Sequence, residues 1–208
     1  MQDVQEQWDE RYSAAEQVWS GQPNQALVEE VAGLRPGCAL EVGCGEGADA
    51  IWLAQQGWDV TALDVSRVAL ERARQQAKRQ DVDIVWLHTG LLEAPLPDEG
   101  FALVSAQYPA LLRTSTGDAE NALAAAVAPG GLLLFVHHNL VDHSHDHAGE
   151  LDGEPGFDPA DYVSPEDVAA SLDGGWDVEL DPRRERDARG GAGAHHHLDV
   201  VLRALRRG

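Results

Sequence analysis

Two hydrophobic periods alternate along the middle of the chain. Cys38–Cys44 (CALEVGC) is a short apolar run closing on glycines, which predicts a first strand. A helical pattern follows from Glu46 to Gln56, with Ile51, Trp52 and Ala54 on its apolar face and Gly57 placed to end it. Asp59–Val65 predicts the next strand, and Ser66 is a good N-cap for a helix over Arg67–Gln80. Ile84–His88 and Leu103–Tyr108 read as the third and fourth strands. A helix through Ala119–Val127 is expected to stop at Pro129-Gly130-Gly131, ahead of a fifth strand, Leu132–His138. Ser164-Pro165 carries the cap-then-proline signature of another helix. Trp176–Leu180 and Leu198–Leu205 are late strands, joined through the glycine-rich stretch Gly190–Gly193.

Strands alternating with helices predict an α/β fold with a doubly wound, mainly parallel sheet, whose ligands sit beyond the strands' carboxyl ends. The last two strands lack an intervening helix, so they are expected as an antiparallel C-terminal hairpin on one edge, giving seven strands. Asn139–Ala160 is long for a connection in a compact domain and reads as a lid. Before the first strand stand three widely spaced aromatics, Trp8, Tyr12 and Trp19, more than a plain leader needs.

Composition narrows the class. The 208 residues carry 36 acidic and 15 basic side chains, a formal charge of −21. That charge argues against nucleic acid and anionic membrane surfaces as partners. No apolar run approaches the roughly 20 residues of a membrane helix, and the start MQDVQEQWDERY has no signal-peptide pattern. The acid excess reads mainly as solubility, and it is uneven: no Lys or Arg lies between Arg113 and Arg183. The Arg-rich end (Arg203, Arg206, Arg207) is expected to be a solvated tail. Cys38 and Cys44, six positions apart along a strand, lie too far apart to pair and are expected as buried small residues in a reducing, cytoplasmic setting.

Chemistry concentrates in Glu41-Val42-Gly43-Cys44-Gly45-Glu46-Gly47 at the end of the first strand. Gly43-x-Gly45-x-x-Ala48 also fits the dinucleotide pattern, and Asp64 at the end of the second strand suits either ribose-bearing ligand. Glu41, inside the strand, is unwelcome beside a pyrophosphate and welcome beside an ammonium group. An NAD-dependent reductase is therefore the alternative, and a noncatalytic cofactor- or metal-binding protein a third.

ALEVGCGEG, VTALD and the terminal hairpin resemble the class I S-adenosylmethionine-dependent methyltransferases. WDERYSAAEQVWSGQPN and GCGEGADAIWLAQQGW are similar to the tellurite-resistance and thiopurine methyltransferase branch. The resemblance implies a single methyltransferase domain over 1–208 with a Rossmann-like fold: a lid segment 1–36, a cofactor core 37–138, a loop 139–163, and a helix plus hairpin 164–208. It implies that Glu41 meets the methionine ammonium, that Gly43, Gly45 and Gly47 line the methionine half of S-adenosylmethionine, and that Asp64 binds the ribose diol. Val65 would pack on adenine, Gly90 and Leu91 would meet its edge, and Gln107 and Tyr108 would lie near the sulfonium methyl. Trp8, Tyr12 and Trp19 would form a lid over the acceptor. Gly90 and Ala102 stand where many relatives have Asp, which predicts weaker cofactor binding.

The implied activity is methyl transfer to a small-molecule acceptor such as a thiol, heterocycle or metalloid oxyanion, by in-line displacement; a monomer is the default expectation and a dimer the alternative. Such a reaction mainly needs near-attack geometry and excluded water. An oxygen or nitrogen nucleophile also needs a base, which directs attention to His137 and His138 at the end of the fifth strand, one of which should face the site. His143, His145 and His147 sit among carboxylates in the long loop, but their spacing is no closed metal pattern, and no metal is expected. His195-His196-His197 leads into the last strand.

Overall fold

A computed structural model describes residues 2–139, 159–187 and 197–208. Two helices open the chain, α1 (Gln2–Ser13) and α2 (Gln25–Val31), where hydrophobic patterning had marked only isolated aromatics. Then come β1 (Cys38–Val42), α3 (Ala48–Gln55), β2 (Asp59–Asp64), α4 (Arg67–Arg79), β3 (Val85–His88), β4 (Phe101–Gln107) and α5 (Asp118–Ala126). β5 (Val127–His138), α6 (Pro165–Ser171), β6 (Trp176–Glu185) and β7 (Leu198–Arg206) complete the fold.

One seven-stranded sheet runs in the order β3-β2-β1-β4-β5-β7-β6. Its first five strands are parallel, and β7 inserts antiparallel between β5 and β6, as the missing helix required. The chain order reverses between β1 and β4, the switch point where an open α/β sheet forms its crevice.

Side chains alternate across the sheet with period two. Leu40, Val42, Leu133 and Phe135 join the core beneath α5 and α6. Ala39, Leu132, Leu134 and Val136 join the opposite core with Leu27, Leu53 and Leu70 from α2, α3 and α4. Each fully buried Leu or Phe contributes about 1.5–3 kcal/mol, so both faces hold the strands and fix their register.

The caps explain the helix starts. Ser66 Oγ accepts from the Ala69 N–H at 3.1 Å. Ser164 and Asp167 form a reciprocal capping box behind Pro165. Gly57 takes φ +90° just past α3, where a residue with a Cβ would be strained.

Several expectations are corrected. Pro129-Gly130-Gly131 does not separate helix from strand: α5 ends at Ala126 and β5 runs through the glycines, its pairing with β4 slipping between Phe101 and Leu103. A Cβ on Gly131 would lie 2.8–2.9 Å from the Ala128 and Phe101 carbonyl oxygens, so Gly131 serves close strand approach, while Gly130, at φ +76°, serves the turn. Cys38 is exposed at the strand start, while Cys44 is buried. The C-terminal arginines are pinned: Arg203 faces Glu30, Arg206 donates to the Val127 carbonyl and Glu99, and Arg207 grips Asp177. Residues 140–158 of the long loop and Gly190–Gly193 fall outside the described residues.

Candidate active site

The carboxyl ends of β1, β2, β4 and β5 open into one cavity of about 730 Å³. Its walls include Gly43, Gly45, Gly47, Asp64, Val65, Gly90, Leu91, Gln107, Tyr108, His137, His138, Trp8, Tyr12 and Trp19. All the candidate positions read from sequence meet there except Glu41, which is buried one layer below the wall.

The glycine turn is built by its neighbours. The Gly43 and Cys44 N–H groups donate to the Leu63 carbonyl at 2.9 and 3.0 Å, tying the turn to β2. Gly45 has φ +50°, and a Cβ there would lie 2.7 Å from the Tyr12 hydroxyl. Gly47 answers a different demand: a Cβ would press on Ala73 of α4 and on Trp86. It serves helix packing at the rim.

Asp64 is a stitch as well as a wall residue. Its two oxygens accept from the Gly45 and Ser66 N–H groups, each at 2.8 Å. Burial pushes its carboxyl above the usual carboxylate range, and those two N–H donors pull it back. Each oxygen has a further lone pair for a ligand.

Beneath the turn lies a buried cluster of acceptors. Glu41 is fully buried; burial, then the nearby Asp49, hold its carboxyl well above its ordinary value, and a hydrogen bond from Ser105 opposes them. Among the described residues Glu41 Oε2 has no hydrogen-bond partner, and neither has Gln107 Oε1, whose amide nitrogen donates to Ser105 Oγ. Asp49 lines the cavity, raised to about 6 by burial despite accepting from the Asn24 backbone and side-chain N–H groups. Sequence reading missed Asp49, because an acid in a helix's first turn ordinarily signals only the helix start.

The N-terminal segment is latched over this turn. The Glu46 carboxylate accepts from the Val18 and Trp19 N–H groups and from Arg72. Arg72 also donates to the Tyr12 and Ala15 carbonyls. Asp9 reaches Ser66 Oγ and the Val68 N–H at the start of α4. Tyr12 is buried, and its hydroxyl accepts from Trp19 Nε1 at 2.8 Å. Arg11 lies 5.2 and 5.5 Å from the Trp8 and Trp19 ring centres. Trp8, Tyr12 and Trp19, expected as a lid over the acceptor, lie in a folded, charge-anchored segment on the cavity wall.

At the far wall both His137 and His138 line the cavity, where strand alternation had predicted one. Tyr108, at φ +53°, turns its ring onto His138 with a 4.2 Å centroid separation. Its hydroxyl donates to Asp199 Oδ2 at 2.6 Å, and His138 Nδ1 lies 3.2 Å from Asp199 Oδ1. Arg186 stands 5.1 Å over the Tyr108 ring. Asp199 and Arg186 had no sequence signal: the link is a cross-strand pairing and a chain return invisible in local pattern. No group of metal-ligating side chains occurs among the described residues, and His143, His145, His147, His195 and His196 lie outside them.

Comparison with known proteins places this architecture. Residues 39–131 match the family described as methyltransferase domain. Outside that match lie α1 and the loop before α2, which bring Trp8, Tyr12 and Trp19 to the cavity wall, and the end of β5 with His137 and His138. Over 111 residues the chain is 36% identical to an uncharacterised methyltransferase of Mycobacterium tuberculosis, covering 53% of this chain and 55% of that one. Over 106 residues it is 32% identical to a ubiquinone biosynthesis O-methyltransferase of Alkalilimnicola ehrlichii, covering 50% and 43%. The chain therefore spans about half the length of the curated relatives it matches. A structure solved for the conversion of a disulfide bond into a thioacetal group during echinomycin biosynthesis has the same fold. It aligns with TM-score 0.72 and 24% identity over 98% of this chain and 92% of that one. No helix among the described residues is long and apolar enough to cross a membrane.

Proposed function

We propose that this protein is an S-adenosylmethionine-dependent methyltransferase acting on a small-molecule acceptor. The observation that carries the proposal is the pair of buried acceptors beneath the crevice, Glu41 Oε2 and Gln107 Oε1, which find no donor among the described residues. Buried polar atoms are nearly always hydrogen-bonded, so an unsatisfied pair under a ligand crevice calls for a donor from the ligand. With Asp49 beside them, they suit a cationic amine and repel a pyrophosphate. This chemistry fits S-adenosylmethionine and disfavours a dinucleotide.

In that reading Asp49, Glu41 and Gln107 hold the ammonium end, and Gly43 and Gly45 let the backbone approach the methionine half. Asp64 takes the ribose diol with its spare lone pairs, while Val65, Gly90 and Leu91 enclose adenine. When bound, S-adenosylmethionine supplies an electrophilic methyl group. The chain's task is then to hold the acceptor and keep water out. Trp8, Tyr12 and Trp19 close over the crevice on the Glu46–Arg72 latch, and Tyr108, His137 and His138 face the acceptor.

A small acceptor is supported by the latched lid and by the −21 charge, which disfavours a polyanion. The finer placement in the tellurite-resistance and thiopurine methyltransferase branch is supported by the sequence blocks around Trp8–Asn24 and Gly43–Trp58. A thiol, a heterocycle and a metalloid oxyanion all suit a compartment walled by aromatic rings. A thermal-shift comparison tests the cofactor assignment. Stabilisation by S-adenosylhomocysteine and none by NAD(H) is expected, and stabilisation by NAD(H) alone would overturn it.

A further inference from the structure

We infer that Asp199 is a positioning residue that makes His138 a general base, fitting the site to an acceptor that arrives as a neutral ring hydroxyl. The inference rests on the methyltransferase reading. Its ground is the geometry at the end of β5.

His138 and Asp199 are directly paired across the antiparallel β5–β7 ladder, so their side chains leave the sheet on the same face. Asp199 is buried, and each of its oxygens is engaged: Oδ1 with His138 Nδ1 at 3.2 Å, Oδ2 with the Tyr108 hydroxyl at 2.6 Å. A carboxylate with no proton of its own can only accept, so it selects the His138 tautomer with hydrogen on Nδ1. That tautomer carries its basic lone pair on Nε2. Tyr108 then stacks on the imidazole and sets the plane of its ring. Arg186 Nε lies 4.0 Å from Asp199 Oδ2.

Among the described residues, the charged and titratable groups around His138 include Asp199 from β7, Tyr108 beyond β4, His137 from β5 and Arg186 beyond β6. His137 is a poor base: burial, then the neighbouring His138, bring it down to about 4. Tyr108 is pushed up by burial and by Asp199, so it stays a neutral donor.

The step balances. The acceptor hydroxyl gives its proton to His138 Nε2, and the Nδ1–H···Asp199 contact stabilises the resulting imidazolium. The oxygen–methyl bond forms as the methyl–sulfur bond breaks, its electron pair going to sulfur. Imidazolium returns its proton to water afterwards. A thiolate or metalloid anion needs no such base, and a built base is wasted on one. Trp8, Trp19 and Tyr162 around the same cavity favour a planar ring.

The test is long-range ¹H–¹⁵N NMR of the histidine-labelled protein with S-adenosylhomocysteine present, assigning His138 by its loss in His138→Gln. Wild type should show the Nδ1–H tautomer. Asp199→Asn should populate the Nε2–H form and move the His138 titration to lower pH. An Nε2–H tautomer in wild type, or a tautomer and titration both unmoved in Asp199→Asn, overturns the inference.

The kinetic arm uses 2-naphthol, neutral at pH 7, and 2-naphthalenethiol, largely ionised there. Loss of the base should cost naphthol methylation about 10²–10⁴-fold in kcat with KM little changed. The thiol should lose less than tenfold, and Asp199→Glu should recover part of the naphthol rate. Equal losses on both probes would also overturn the inference. If neither probe accepts methyl, the tautomer and titration decide. Calorimetry separates the two layers: if wild type does not bind S-adenosylhomocysteine, the methyltransferase reading fails, whatever the dyad shows.

Discussion

Arg72→Ala should release the N-terminal segment while leaving the sheet intact. The Arg72 guanidinium spans three acceptors, Glu46 Oε1 at 2.8 Å and the Tyr12 and Ala15 carbonyls at 2.7 and 2.6 Å. Hydrogen bonds to a charged group are worth about 1.5–3 kcal/mol each, but such sets are not additive and the Ala15 carbonyl regains water. A net loss of about 2–4 kcal/mol follows, larger than a surface ion pair because Glu46 and Arg72 are mostly buried. The loss falls on the lid, since Tyr12 and the loop before α2 dock through this latch and the strands do not. In an opening equilibrium, 2–4 kcal/mol is about 30- to 700-fold, at 1.4 kcal/mol per factor of ten. Native-state hydrogen exchange reads it at the Val18 and Trp19 amides, which donate to Glu46. Their exchange should accelerate by that factor while amides in β1 and β4 stay protected. Arg72→Lys, with a point charge in place of a planar fork, should recover only part of the protection. Unchanged protection at Val18 and Trp19 in Arg72→Ala would refute the latch.

Other perturbations bear on the crevice. Asp64→Ala should abolish S-adenosylhomocysteine binding and also cost stability, about 2–4 kcal/mol in urea unfolding, because the Gly45 and Ser66 N–H groups lose their acceptor; binding within threefold of wild type would mean the ribose site is elsewhere. Gly45→Ala places a Cβ 2.7 Å from the Tyr12 hydroxyl at φ +50°. The backbone alone should cost about 1–2 kcal/mol, with Tyr12 displaced, and an unchanged unfolding midpoint would contradict that. Asp49 titrates near 6 in the fold against an ordinary 3.8, so the folded state holds the extra proton between those values. Its contribution to stability is therefore lost as pH rises through 4 to 6, by about 3 kcal/mol. Asp49→Asn should gain on wild type by that amount between pH 4 and pH 7.5, and a difference constant with pH would refute it. His137 works oppositely: near 4 in the fold against 6.5, it stabilises the native state as pH rises from 4 to 6.5, so the comparison must use the variant pair.

Much of this molecule was written in local pattern. Apolar runs marked all five strands of the parallel half, with Gly43 and Asp64 closing the first two, because the central strands are buried on both faces and have little polar alternation to confuse them. The missing helix between the last two runs foretold the antiparallel β7. Ser66, Gly57 and Ser164-Pro165 marked helix ends by chemistry that needs only neighbours.

What escaped depends on distant contacts. α1 is too polar to show a clear apolar face, and its order comes from Asp9 on α4 and the Arg72 latch. Glu41 was legible as the acid of the motif, yet not its place one layer below the wall. Asp199 was one acid among many until the β5–β7 register set it opposite His138. The C-terminal arginines looked like a tail because their partners Glu30, Glu99 and Asp177 lie on other elements.

The central claim is that the buried acceptors beneath the glycine turn receive the ammonium of a methionine-bearing cofactor. Calorimetric titration of the wild-type protein with S-adenosylhomocysteine, set against 5′-methylthioadenosine, addresses it directly, since the two share the nucleoside and differ in the amino acid. S-adenosylhomocysteine should bind at least 100-fold more tightly, gain affinity from pH 5 to pH 8, and release protons as Glu41 and Asp49 ionise against the amine. Equal affinity for both ligands, with no proton released, would contradict it.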